Sequence, residues 1–348
     1  MTDMLWWQLA ITLAAAYLGT RLLLPLNIRL AIRTGIMATP NERSIHTYPT
    51  PTAGGLSFGL VMIVLQLILG IINWNNGYGS SLVKLGGISV LLLLFGLIDD
   101  KYQSRARYKL LWQILITVLM FYSGYRVTFL TNPLGSHFSL GWSSLPVTIF
   151  WFLLTMNAIN LIDGLDGLAS GITCIVSVVL AIIGVMGKNP LVLTLTMLLL
   201  GSNLAFLKYN FYPAKIFMGD TGSLIIGLNI AAISTAGNTT FKGITTMTLM
   251  VPVIVMAIPL IDTILAVFRR IGKGSIFRAD KAHLHHYLLK LGLSQPAIAL
   301  LTYFITGLFG MAAIGFSFSS HKILFSLLVA LMSILIITVY IVIHRGQK

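Results

Sequence analysis

A succession of long apolar runs, each the length of a bilayer crossing, constrains this chain more than any other feature. A spanning helix needs about 20 mainly apolar residues, because the hydrocarbon core is roughly 30 Å thick and only helices or closed barrels satisfy every backbone group inside it. About eleven such runs can be read, over 5–24, 53–73, 81–98, 110–130, 143–161, 168–187, 190–207, 221–236, 244–268, 296–318 and 322–343. They leave almost no room for a soluble domain, so residues 1–348 read as one polytopic all-α integral membrane domain. With 57% hydrophobic and only 9% charged residues, the chain has too little polar surface for a water-soluble fold.

The first run follows Asp3, has no basic leader and is followed by no small-residue cleavage site, so it reads as a retained helix rather than a signal peptide. Cytoplasmic loops carry the excess of Lys and Arg. Most of the 23 basic residues fall after the odd-numbered runs or in the tail, including Lys101, Arg105, Arg107, Lys109, Arg269, Arg270, Lys273 and Arg278. That bias predicts an N-terminus outside and a C-terminus in the cytoplasm. The single cysteine, Cys174, lies in an apolar run and reads as packing, excluding an intramolecular disulfide or a cysteine metal cluster. The net charge of +14 is spread over short loops between spans, which suits phosphorylated substrates and membrane lipid headgroups better than nucleic acid.

Nine carboxylates are present: Asp3, Glu42, Asp99, Asp100, Asp163, Asp166, Asp220, Asp262 and Asp280. All but Asp3 map to the inner side or to a run close to it. Ionisable groups at membrane depth are costly to keep, so acids gathered at helix ends on one face point to a functional site; solvated loop ends are the plainer alternative.

In GLIDDKYQSRARYKLLWQ, Asp99 and Asp100 close the third run and cations follow at once. Adjacent carboxylates repel, raising one pKa, while nearby cations lower both, so one acid can serve as a base and the other hold cations or neighbouring helices. In NAINLIDGLDGLASG, Asn157, Asn160, Asp163 and Asp166 recur every three residues, and on a helix adjacent members would share a face. Their oxygens are hard ligands of the kind Mg²⁺ prefers, and the same groups can hydrogen-bond a base or sugar. In KIFMGDTGS, Asp220 sits between two glycines just before an apolar helix expected from about Leu224. It can cap that helix, or hold Mg²⁺ while free N–H groups face phosphate. The run RRIGKGSIFRADKAHLHHYLLKLG carries Arg278, Asp280, His283, His285 and His286 and reads as a substrate-binding arm. HLHH lacks the HExxH spacing of a zinc site, which leaves hydrogen bonding to phosphate or sugar. In PNERSIHTYPTPTAGG the prolines and glycines imply a fixed turn into the second run, where Arg43, Ser44 and His46 either meet an anion or belong to a structural loop.

Taken together and in this order, from about Pro40 to Gly292, these blocks resemble the polyprenyl-phosphate N-acetylhexosamine-1-phosphate transferases, a glycosyltransferase family whose members start O-antigen, enterobacterial common antigen, teichoic acid and peptidoglycan lipid intermediates. The resemblance implies an enzyme of the bacterial inner membrane that moves a sugar-1-phosphate, GlcNAc-1-phosphate first among the choices, from a UDP-N-acetylhexosamine to undecaprenyl phosphate. It implies Mg²⁺, or Mn²⁺ in its place, held by Asp220 and Asn160, and Lys109 meeting the diphosphate. It further implies Phe217 stacking on uracil beside Asp166, Asp99 as base or lipid-phosphate organiser with Asp100 next to it, and Arg278 with His283, His285 and His286 on phosphate and sugar. Members often form homodimers. The ending ADKAHLHHYLLKLG is similar to the UDP-GlcNAc branch and differs from the consecutive histidines of the phospho-MurNAc-pentapeptide translocase, the nearest alternative within the family. Outside the family the rivals are a polytopic lipid or glycan transporter, whose acids should lie nearer the midplane, and a non-catalytic scaffold for glycan assembly.

Overall fold

The computed structural model describes residues 6–40, 48–131, 137–236, 261 and 288–318. The runs expected at 244–268 and 322–343, the arm bearing Arg278, Asp280, His283, His285 and His286, and Asp3, Glu42, Arg43, Ser44, His46 and Asp262 lie outside the described residues.

Among the described residues the protein is built on nine long helices. These are α1 (Trp6–Thr34), α2 (Gly55–Ile72), α3 (Gly79–Tyr102), α4 (Ala106–Tyr122), α5 (Ser144–Ile162), α6 (Leu168–Met186), α7 (Pro190–Asn210), α8 (Gly219–Ala236) and α9 (Gln295–Phe318). Seven of them, all but α4 and α8, are long and apolar enough to cross a membrane, the stretch at α5 counted from Gly141. The chain is a multi-pass, predominantly helical membrane protein. Helix α4 has only 17 residues, and α8 opens with the polar turn Asp220-Thr221-Gly222-Ser223.

Two boundaries depart from the hydropathy reading. The first helix runs ten residues past the expected end at 24, through Pro25 and on to Thr34. The run expected over 110–130 stops at Tyr122, where Gly124 takes a positive φ of 103°. Beyond it, β3 (Phe129–Thr131) pairs antiparallel with β4 (His137–Ser139), Phe129 facing Ser139. Averaged hydropathy does not distinguish the last turn of a helix from an apolar strand. A second short antiparallel pair, β1 (Met37–Ala38) with β2 (Thr50–Pro51), closes the loop before α2.

Helix α8 is the hub. Every residue from Thr221 to Ala236 is buried, as expected of a helix that is apolar or small on all sides. It packs against α2, α3, α5 and α7, while α1 lies on α7 and α2, and α6 sits between α7 and α9. Small residues permit the close approach. A Cβ on Gly55 of α2 would overlap the backbone of Thr221 and Gly222, and one on Gly96 of α3 would stand 2.5 Å from the Thr221 Cα. A Cβ on Gly227 would strike the Met156 backbone of α5. Such backbone-to-backbone packing drives association where lipid offers no hydrophobic contrast. Deeper in the bundle, Gln66 Nε2 donates to Asn229 Oδ1 at 2.8 Å and Trp151 Nε1 donates to Ser234 Oγ at 2.8 Å. These bonds fix the register of α2 and α5 on α8, and bring the first turn of α8 beside the ends of α3, α5 and α7 and the start of α4.

Candidate active site

The end of α3 and the start of α8 are joined through one carboxylate. Asp100 Oδ1 accepts from the backbone N–H of Asp220 at 2.7 Å, and Oδ2 accepts from the Thr221 N–H at 3.2 Å and the Thr221 hydroxyl at 2.5 Å. These are among the amide groups that a helix start leaves without intrahelical partners, and the helix dipole favours an anion there. Gly219 makes the approach possible. It has a φ of 72°, and a Cβ on it would stand 2.6 and 2.7 Å from the two Asp100 oxygens.

With Asp100 supplying the cap, the side chain of Asp220 is released from that role. The helix starts at Gly219, five residues before the expected Leu224, so Asp220 lies inside its first turn. Its Oδ1 accepts from Asn160 Nδ2 at 2.6 Å, and Oδ2 pairs with the Lys109 ammonium. Lys109 also pairs with Asp99 Oδ2 at 2.5 Å. Asp99 is 2% exposed, and its Oδ1 accepts from the Ser104 N–H at 2.9 Å. Asn160 Nδ2 reaches Ser223 Oγ as well, at 2.9 Å. Asp99, Asp100, Lys109, Asn160 and Asp220, drawn from four helices, therefore form one hydrogen-bonded constellation. The Lys109 ammonium lies between two carboxylates, the place a bound cation would take.

The other half of the Asn/Asp run is organised differently from its three-residue spacing. Helix α5 ends at Ile162, so only Asn157 and Asn160 are helical, and Asp163 and Asp166 lie in the following turn. Gly164 and Gly167 break the helix, the latter with a φ of 76°. Asn157 does not join the acids; its Nδ2 donates to Gln113 Oε1 and Leu153 O, both at 2.8 Å. Asp163 accepts from the Gly219 N–H. Burial, and then the charges of Asp220, Asp100 and Asp166, push its carboxyl well above the usual carboxylate range. Asp166 Oδ2 accepts from the Ala214 N–H at 2.9 Å, tying the 163–167 turn to the loop between α7 and α8.

Phe217 lies on that loop, half-buried beside the constellation. Its N–H donates to Pro51 O at 2.8 Å and its carbonyl accepts from the Gly54 N–H at 2.8 Å, with Gly55 N–H bonded to Met218 O. The proline- and glycine-rich turn before α2 is thus a brace for the 216–218 segment. Three further participants carry no role in the sequence reading. Gln113 is four residues after Lys109 and on the same face of α4, which is a usable signal. Asn210 is a lone amide at the end of an apolar helix, and Tyr303 of α9 is an ordinary aromatic in a span.

Among the described residues no three carboxylate, histidine or thiol side chains converge as ligands. Asp99 and Asp220 present carboxylate oxygens to one point, now taken by the Lys109 ammonium, and one or two carboxylates suffice for Mg²⁺ in phosphate chemistry; Asn160 turns its NH₂ to Asp220 there.

Residues 82–238, from α3 through the end of α8, match the family described as Glycosyl transferase family 4. The chain is 34% identical over 309 residues to a Bacillus subtilis protein named "Probable undecaprenyl-phosphate N-acetylglucosaminyl 1-phosphate transferase", covering 88% of this chain and 84% of that one. It is 34% identical to a decaprenyl-phosphate N-acetylglucosaminephosphotransferase of Mycobacterium leprae, over 82% of this chain and 77% of that one. It is also 35% identical to a phospho-N-acetylmuramoyl-pentapeptide-transferase of Caldicellulosiruptor bescii, over a shorter 76% of this chain and 82% of that one.

Proposed function

Since the chain belongs to glycosyl transferase family 4, among the polyprenyl-phosphate sugar-1-phosphate transferases, we propose that it transfers GlcNAc-1-phosphate from UDP-GlcNAc to undecaprenyl phosphate and releases UMP. The observation that carries this reading is the convergence of Asp99, Lys109, Asn160 and Asp220 at one end of the bundle. An anionic donor and an anionic acceptor must be brought together there, and acids with one cation among them suit a divalent ion and phosphates. The GlcNAc relatives match more of this chain, 88% and 82% against 76%, which favours that sugar over the MurNAc-pentapeptide.

Asp220, helped by Asn160, would hold Mg²⁺, or Mn²⁺ in its place, which when bound offsets the diphosphate charge and makes UMP a better leaving group. Lys109 meets the diphosphate. Phe217 and Asp166, on two loops tied to each other, receive the uracil. A phosphate oxygen of the lipid attacks the phosphorus bearing the sugar, one P–O bond forms, and the P–O bond to UMP breaks with its electron pair leaving on UMP. The hydrogen bonds favour direct attack over a covalent aspartyl phosphate. Both Asp100 oxygens are engaged by α8, and Asp99 is buried with one oxygen on Ser104 and the other on Lys109. Catalysis then rests on positioning and electrostatics. The family resemblance assigns Arg278, His283, His285 and His286 to phosphate and sugar. The excess of Lys and Arg in the loops supports a cytoplasmic face of a bacterial inner membrane for this end of the bundle, with about eleven spans and the N-terminus outside.

Purified protein in detergent, given undecaprenyl phosphate, Mg²⁺ and a panel of UDP-sugars that includes UDP-MurNAc-pentapeptide, tests the reading. Lipid-dependent UMP release, fastest with UDP-GlcNAc and abolished by chelator or by Asp220→Ala, is expected. Folded protein that releases no UMP from any donor would overturn it and bring the transporter reading forward.

A further inference from the structure

Asn210, the last residue of α7, is 1% exposed, and its side chain engages both loops that carry Asp166 and Phe217. Its Oδ1 accepts from the Gly167 N–H at 3.1 Å and from Ser170 Oγ at 3.1 Å, on the turn that carries Asp166. Its Nδ2 donates to Ile216 O at 3.0 Å, one residue before Phe217. Gly167 is held from its other side by Tyr303 of α9, whose hydroxyl donates to Gly167 O at 2.5 Å and whose ring occupies the space a Cβ on Gly171 would need. A single line of bonds therefore runs from α9 through Gly167, Asn210 and Ile216 to Phe217, and from there to Pro51 and Gly54.

We propose that Asn210 is a positioning residue for the nucleotide, setting the separation between Asp166 and Phe217 and thereby donor recognition, without touching the donor itself. This rests on the placement of uracil between those two side chains. The chemistry of an amide is what the position demands, since one acceptor faces an N–H and an O–H while one donor faces a carbonyl. A carboxylate would keep the first pair and set an oxygen against Ile216 O; an apolar side chain would take the partner from the Gly167 N–H and from Ile216 O in a dry interior, while the Ser170 hydroxyl keeps Gly167 O at 3.1 Å. Asp99, Lys109 and Asp220 have further bonds of their own on α3, α4, α5 and α8, so loosening the clasp moves the base site more than the reacting centre.

The test is steady-state kinetics of UMP release by full-length Asn210→Ala, Asn210→Asp and Tyr303→Phe, each shown folded by its thermal transition, beside the wild type in the same assay. The expected result is a KM for UDP-GlcNAc raised roughly tenfold or more in Asn210→Ala, less in the other two, with KM for the lipid unchanged and kcat within about threefold. Discrimination between UDP- and CDP-linked sugars should narrow in the same order. Unchanged donor KM in folded variants, or a fall in kcat alone, would overturn the positioning role. Inactivity of the wild type with every donor would instead overturn the transferase reading. If Asn210→Ala fails to fold, Asn210→Asp and Tyr303→Phe decide the matter on the same readouts.

Discussion

Asp100 caps the helix on which Asp220 sits: its Oδ1 accepts the Asp220 backbone N–H at 2.7 Å, so the side chain of Asp220 is left for Lys109 and Asn160. Of two adjacent acids at the end of α3, one builds the site and the other faces into it. Asp100→Asn keeps one acceptor but turns an NH₂ toward the Thr221 N–H, where two donors then meet. Activity should fall by roughly a hundredfold, and the thermal transition should drop by an amount corresponding to about 1–3 kcal/mol. UMP release and thermal unfolding in detergent measure both, and full activity would show that the cap is dispensable.

Lys109 bridges Asp99 and Asp220, and a divalent ion has to compete with its ammonium for the Asp220 carboxylate. Lys109→Gln should therefore bind Mn²⁺ several-fold more tightly while turning over at least about a hundredfold more slowly, because the ion gains a ligand and the diphosphate loses a cation. Calorimetric Mn²⁺ titration of both proteins, set beside their rates, tests the two halves. Weaker Mn²⁺ binding would place the ion elsewhere.

Asp163 has its carboxyl pushed upward, first by burial and then by Asp220, Asp100 and Asp166. A carboxylate raised on folding costs stability above its folded pKa and nothing below the unfolded value near 4. Asp163→Asn keeps an acceptor for the Gly219 N–H and removes the charge. With chelator present, its melting temperature should exceed that of the wild type at pH 9, and the gain should shrink as pH falls. A pH-independent difference in thermal scans would exclude this origin.

Gly96 and Gly227 both let neighbouring helices approach α8, but only Gly96 lies against Thr221, next to Asp220. Gly96→Ala and Gly227→Ala should each destabilise the protein by about 1–3 kcal/mol. Gly96→Ala should in addition lose at least tenfold in kcat, whereas folded Gly227→Ala should retain most of its turnover. Equal losses of activity in the two variants would mean that the effect is global rather than local to the first turn of α8.

The sequence by itself determined the class of fold and which polar side chains stand out against it. Apolar runs of bilayer length are a one-dimensional property, set by the cost of an unpaired backbone group in hydrocarbon, and a carboxylate is equally conspicuous wherever it stands in such a run. Asp99, Asp100 and Asp220 stand out by that contrast, while Lys109 and Asn160 are picked out by the runs they stand in and by the family resemblance. What the tertiary structure alone decided is how they divide the work, because a hydrogen bond depends on which partner is within about 3 Å and not on spacing along the chain. Nothing in the order of Asp99 and Asp100 says that the second caps α8. The three-residue spacing of Asn157, Asn160, Asp163 and Asp166 misplaces half of its members, since two glycines end the helix, and Asn157 turns to Gln113. Asn210 and Tyr303 join loops more than forty and a hundred residues apart. Such partners become neighbours only when the helices are packed, and for that reason local pattern could not reveal them.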